Sequence, residues 1–213
     1  MADYEHDIFI SYRRMDEDWV SWTRDNFLRP LRSLLRPALG NVRIFADDQI
    51  ETGASWPAYL ARAHTRSKLL IPILSRDYFN SDWCRLELAL MHHRERLVGY
   101  RTPAQPSALI LPLVIDDGNV FPPEVQDMQG ESIHRFAIIC MCTTGARQEE
   151  FAAHLKQWCP RVERAMERIP PFDPEWEALA HEQFSEMFRI RVAAQKTLPS
   201  LTLLAVPQAD QQT

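Results

Sequence analysis

A series of short, nearly unbroken apolar runs, set between segments of helical periodicity, constrains this chain more than any other feature. Asp7–Tyr12 (DIFISY), Lys68–Leu74 (KLLIPIL) and Ala108–Ile115 (ALILPLVI) carry little polar interruption. A strand with one wet face alternates apolar and polar residues, whereas a strand covered on both faces reads as a continuous apolar run. Runs of that kind belong to parallel sheets layered between helices, so an α/β protein is expected.

The segments between the runs support this expectation. Asp16–Leu39 places Trp19, Val20, Thr23, Phe27, Leu31, Leu34 and Leu35 at helical spacing. Pro30 should kink that helix, and Pro37 and Gly40 should mark its end. Val42–Phe45 reads as a short second strand and the polar segment Ala46–Ser55 as a loop. Trp56–Thr65 reads as a helix capped by Ser55, with Pro57 tolerated in the first turn. Asp82–Val98 reads as helix, Asp117–Arg135 as an irregular connection and Phe136–Met141 as a fifth strand. Arg147–Arg168 reads as a long helix, broken or kinked near Pro160. Pro72 and Pro112 fit poorly inside strands, since proline has no N–H to give to a ladder. The order predicts five parallel strands with helices on both faces.

The segment Pro170–Pro174 (PPFDP) breaks the pattern, dividing a domain over residues 1–169 from an extension over 170–213. In the extension, Trp176, Ala180, Phe184, Met187, Phe188 and Val192 form one helical stripe, followed by Leu201–Val206 and a polar end. Such a stripe needs an apolar cover, and the short linker favours the chain's own domain over a partner.

Composition narrows the function. Apolar residues make up 46% of the 213 and charged residues 25%, which excludes disorder throughout. A net charge of −5 argues against a general nucleic-acid binder. No apolar run approaches the ~20 residues needed to span a bilayer, and MADYEHD is not a signal peptide. A cytoplasmic protein without membrane attachment is expected. Cys84, Cys140, Cys142 and Cys159 then read as reduced thiols. Cys140 and Cys142 share one face of FAIICMC and read as small core residues rather than metal ligands.

Ligands of parallel α/β sheets sit beyond the carboxyl ends of the strands, here the segments Ser11–Asp16, Ala46–Ser55 and Ser75–Glu87. No G-x-G-x-x-G follows the first strand, and neither a phosphate-binding G-x-x-x-x-G-K-S/T loop nor a G-x-S-x-G elbow occurs. A phospho-receiver needs an aspartate where this chain has Ser11-Tyr12-Arg13-Arg14. Trp83 and Glu87, four residues apart, share one helix face at the mouth of the sheet. By spacing alone the glutamate fits a surface ion pair as well as a functional carboxylate.

Four blocks carry a more specific message: DIFISYRR (Asp7–Arg14), FADDQIETGASW (Phe45–Trp56), LLIPILSRDYFNSDWCRLEL (Leu69–Leu88) and LILPLVID (Leu109–Asp116). In this order and at these separations the chain resembles the TIR (Toll/interleukin-1 receptor) domain family, in its bacterial and plant-like form, across roughly residues 5–168. The resemblance implies a flavodoxin-like five-stranded parallel sheet. It implies cleavage of NAD+ at the nicotinamide–ribose bond, giving nicotinamide and ADP-ribose or a cyclised ADP-ribose, in prokaryotic immune defence. The other implied class is a non-enzymatic adaptor that only assembles. Glu87 matches the family's catalytic glutamate. Trp83 is implied as an aromatic wall, or as core. Arg13 and Arg14 are implied at the pyrophosphate, with solvated loop arginines as the alternative. Phe45 is implied against the base and Tyr12 beside the substrate. Ser75 is implied in the site, or as a turn cap. NAD+ enters as substrate, with no bound cofactor and no metal. The loop Ala46–Ser55, with Asp47, Asp48, Glu51 and Gly53, is implied as the contact to other TIR domains, and an upstream sensor protein as a further partner.

Overall fold

Five parallel strands form the centre of the computed structural model, which describes residues 3–14, 17–46, 56–116, 121–126, 128–138, 141 and 143–196. β1 (His6–Tyr12), β2 (Ile44–Ala46), β3 (Ser67–Leu74), β4 (Leu113–Val114) and β5 (Glu131–Ser132) lie in the order β2-β1-β3-β4-β5. β1 pairs with β2 through Phe9 and Phe45, and with β3 from His6 and Ser67 to Tyr12 and Ile73. Nearly every residue of β1 and β3 is buried, as their apolar runs require. The connections leave β1 in one direction for β2 and return past it to β3. This reversal is the switch point at which such sheets open a crevice.

α1 (Glu17–Trp22), a π-helical turn (Thr23–Leu28) and α2 (Arg29–Leu39) follow β1; α3 (Trp56–Thr65) follows β2; α4 (Asp82–Leu97) follows β3. α5 (Pro123–Gln126) is one turn, and α6 (Ala146–Met166) packs on α2 and β3. α3 and α4 both touch β1, and α7 (Pro174–Lys196) lies across them.

The prolines interrupt the helices less than a break would. At Pro30, where a kink is expected, the first helix carries a π-helical turn, closed by the Arg29 N–H bonding to the Arg24 carbonyl. Pro37 and Pro160 lie inside α2 and α6 without ending either. Both are exposed, so the carbonyls they leave without a donor face water. Gly40, at φ 73°, ends α2 instead. Pro72 and Pro112 precede the paired residues Ile73 and Leu113, and their missing donors fall on different ladders: the Pro112 carbonyl accepts the Glu131 N–H of β5 at 2.8 Å, whereas Pro72, two residues after Leu70, is turned toward β4. The ladder is flanked there by the Leu70–Ile110 bridge.

The fifth strand is not the expected Phe136–Met141. Glu131 and Ser132, inside the segment read as an irregular connection, pair with Leu113 and Val114. Gly130 permits this approach, since a Cβ there would come within 2.8 Å of Val114 Cγ2. Phe136 closes a 3₁₀ turn and stacks on Phe151, with 4.8 Å between ring centroids. Burial through a turn, not through strand pairing, explains its apolar character. β2 runs from Ile44 rather than Val42, and β4 is confined to Leu113–Val114. Cys84 and Cys159 are free and buried; Cys140 and Cys142 fall outside the described residues.

α7 buries Trp176, Ala180 and Phe184 against the domain, while Phe188 remains 43% exposed. Arg66 donates to both carboxylate oxygens of Glu177 at 2.6 and 3.1 Å, and the Tyr4 hydroxyl donates to the Pro170 carbonyl at 2.8 Å. The apolar stripe is thus covered by the chain's own domain over its first turns. Among the described residues no helix is long and apolar enough to cross a membrane.

Candidate functional site

At the carboxyl end of β1, beside β3, the chain leaves the sheet through Ser11, Tyr12, Arg13 and Arg14. The first turns of α4 approach from the other side with Ser81, Trp83, Cys84 and Glu87. These residues line a cavity of about 480 Å³ floored by Phe9 and Ile10. A volume of that order suits a small organic ligand. The site is built locally by a helix cap. Ser81 leaves the 3₁₀ turn Asp77–Asn80 in an extended conformation, and its hydroxyl accepts the Cys84 N–H at 3.3 Å. This cap starts α4 at the cavity rim.

Glu87 is only 6% exposed. Ser11 Oγ donates to its Oε2 at 2.5 Å. The Tyr78 hydroxyl lies 2.8 Å from Ser11 Oγ and donates to the Cys84 carbonyl at 3.0 Å. One serine therefore connects the carboxylate to a wholly buried phenol. Burial pushes the Tyr78 phenol well above its ordinary range, so it keeps its proton. Burial, with the Glu87 charge second, pushes the Cys84 thiol up to about 12. That rules out Cys84 as a thiolate nucleophile near neutral pH.

Glu87 is also held through its backbone. His64 Nε2 lies 2.9 Å from the Glu87 carbonyl oxygen. A carbonyl only accepts, so Nε2 carries the proton. Burial pushes the His64 pKa down to about 4, which keeps the ring neutral.

Trp83 and Glu87 share the cavity, as their spacing predicts, and Tyr12, Arg13 and Arg14 join them there. Both arginines are exposed at the mouth. Two expected residues lie elsewhere. Phe45 is fully buried and stacks on Phe9 at 5.0 Å, so it belongs to the core beneath the sheet. Ser75 accepts the Tyr78 N–H at 3.0 Å and caps the 3₁₀ turn. It lines a smaller neighbouring cavity of about 120 Å³, which shares Tyr12 and Arg13 with the first. Asp47, Asp48, Glu51 and Gly53 of the loop after β2 lie outside the described residues.

Sequence reasoning missed Ser11, Tyr78 and His64. Ser11 stands inside the first matching block, but its link to Glu87 spans 76 positions and has no local signature. Among the described residues no group of three or more His, Cys, Asp and Glu side chains suits a metal ion.

The chain is similar to several known proteins. Disease resistance-like protein DSC1 of Arabidopsis thaliana is 37% identical over 84 residues, covering 39% of this chain and 6% of that protein. Protein SUPPRESSOR OF npr1-1, CONSTITUTIVE 1 of Arabidopsis thaliana is 37% identical over 87 residues, 41% of this chain and 5% of that protein. The chain thus matches only a small part of the length of these relatives. Among solved structures, the TIR domain of the Toll-related receptor TRR-2 of Hydra magnipapillata aligns at 17% identity and a TM-score of 0.42. That alignment covers 60% of this chain and 84% of the other. The TIR domains of the activated Roq1 resistosome align at 18% identity and 0.38, over 86% of this chain and 99% of theirs. The family profile described as the TIR domain matches residues 8–138, more than half of the chain and a span that holds all of the sheet but the first two residues of β1, together with Glu87, and the chain accordingly belongs to the TIR domain family.

Proposed function

We propose that the chain is an NAD+ glycohydrolase of the bacterial and plant-like TIR type. It takes NAD+ and water to nicotinamide, ADP-ribose and a proton, or closes ADP-ribose on itself when a group of the same molecule replaces water. One observation carries this reading: a single, nearly buried carboxylate, Glu87, is held by Ser11 in a cavity that it shares with Trp83 and is approached past two arginines. Nicotinamide leaves as a neutral molecule from a cationic ring, so no general acid is needed. The ribose gains oxocarbenium character as the bond stretches, as in glycoside cleavage. A fixed carboxylate beside the ribose stabilises that positive charge and orients the hydroxyls. Arg13 or Arg14 meets the pyrophosphate and Trp83 offers a flat apolar wall.

The name of one plant relative, a disease resistance-like protein, supports a role in immune defence; a cytoplasmic location and an upstream sensor belong to the same reading. Activation by assembly with other TIR domains, through the loop Ala46–Ser55, belongs to the same reading. The test is incubation of the purified chain with NAD+ over a range of protein concentrations, with and without a crowding agent. Nicotinamide release that rises more steeply than protein concentration is expected. Absence of nicotinamide under every condition overturns the reading and leaves the assembly-only adaptor.

A further inference from the structure

The C-terminal helix reaches the candidate site from behind. Phe184 of α7 is fully buried, and its ring stacks on Trp83 at 6.0 Å between centroids and 13° between planes. Trp83 in turn lines the cavity that holds Glu87. The same phenylalanine packs on His64 at 5.8 Å, and His64 Nε2 bonds to the Glu87 carbonyl at 2.9 Å. One side chain of the extension therefore touches the support of both members of the Trp83–Glu87 pair. Phe188, one turn further along α7, is 43% exposed and marks where this packing ends.

We propose that Phe184 is a positioning residue of the site: it holds the Trp83 indole against the Glu87 cavity, so that the extension is part of the substrate-binding apparatus. The proposal rests on the glycohydrolase reading. A half-buried indole without a backing ring samples several rotamers, and each departure from the stacked one removes the flat wall from the cavity. Parallel stacking selects one orientation, which a merely apolar neighbour of similar volume does not. The effect falls on substrate binding rather than on the reacting bond, because Trp83 bounds the cavity while Glu87 carries the charge.

The experiment uses the full chain with Phe184→Leu and Phe184→Met, which keep apolar volume and remove the ring, and Phe188→Ala as a control. Cooperative melting of each variant establishes that it folds. Acrylamide quenching of Trp83 emission, isolated by subtracting a Trp83→Phe protein in each background, reports the indole without any substrate. The ring-less variants should show a more accessible Trp83 and a KM for NAD+ raised roughly three- to tenfold, the factor expected from one lost stacking contact, with kcat changed less. Phe188→Ala should match wild type in both. Wild-type quenching and wild-type KM in both ring-less variants overturn the positioning role and leave the glycohydrolase reading intact. A wild type that releases no nicotinamide overturns that reading instead, and the quenching difference then decides the Phe184–Trp83 coupling by itself.

Discussion

Ser11 and Glu87, on β1 and α4, meet through a hydroxyl-to-carboxylate hydrogen bond of 2.5 Å in a buried setting. With the Ser11 proton given to Glu87, the single Tyr78 proton serves both Ser11 Oγ and the Cys84 carbonyl. The carboxylate is thereby fixed from the sheet side, and its cavity side is set by the start of α4.

Glu87→Gln should keep the fold and lose turnover. The amide oxygen still accepts the Ser11 proton, so the melting temperature should stay close to wild type. Loss of a preorganised charge costs ~10²–10³ in kcat. Nicotinamide release at saturating NAD+ measures it, and undiminished release would remove Glu87 from the chemistry.

Ser11→Ala tests the orientation of that carboxylate separately from its charge. A hydrogen bond to a charged group contributes ~1.5–3 kcal/mol, so kcat should fall ~10–100-fold while Glu87 is still present. Steady-state kinetics of the folded variant decide it; a kcat equal to wild type shows that Ser11 serves only packing.

His64 makes stability depend on pH in a defined window. Its pKa is about 4 in the folded chain and about 6.5 in the unfolded one, with burial as the main cause. Above pH ~6.5 both states are neutral there and nothing changes. As pH falls from there toward 4, the unfolded state binds the proton first, and stability drops by on the order of 3 kcal/mol. Denaturant titrations at several pH values should show this slope in wild type and a flatter one in His64→Gln. Equal slopes would mean that His64 charges freely in the folded state.

Trp176 anchors the extension. It is 2% exposed, with the Arg94 guanidinium 5.9 Å from its ring centroid. Trp176→Ala should cost ~3–5 kcal/mol, as for other large-to-small changes in a core. Truncation after Arg168 should lower the melting temperature or cause aggregation, because it uncovers the faces of α3 and α4. Unchanged melting and solubility would show that α7 does not stabilise the domain.

Much of the architecture was legible along the chain. β1, β3 and α3 fall where the apolar runs and the helical spacing place them, because those signals act within a few residues; the expected cap Ser55 lies outside the described residues. The pairing of Trp83 with Glu87 was equally legible, since residues four apart on a helix share a face. β5 was not, because Glu131 and Ser132 carry no apolar period and are strand only through Leu113 and Val114. Phe45 and Ser75 stood beside the right strands, yet strand proximity does not say which side of the sheet a ring faces or which turn a hydroxyl closes.

The sequence by itself determined an α/β layering, a carboxylate at the mouth of the sheet and an amphipathic extension in need of cover. Periodicity and short-range sterics suffice for each of these. Only the tertiary structure decided that Ser11 and Tyr78 hold Glu87, that His64 sits neutral beneath it, and that Phe184 stacks on Trp83. Those contacts join positions 67 to 101 residues apart or depend on the burial that such contacts create, and no local pattern encodes them.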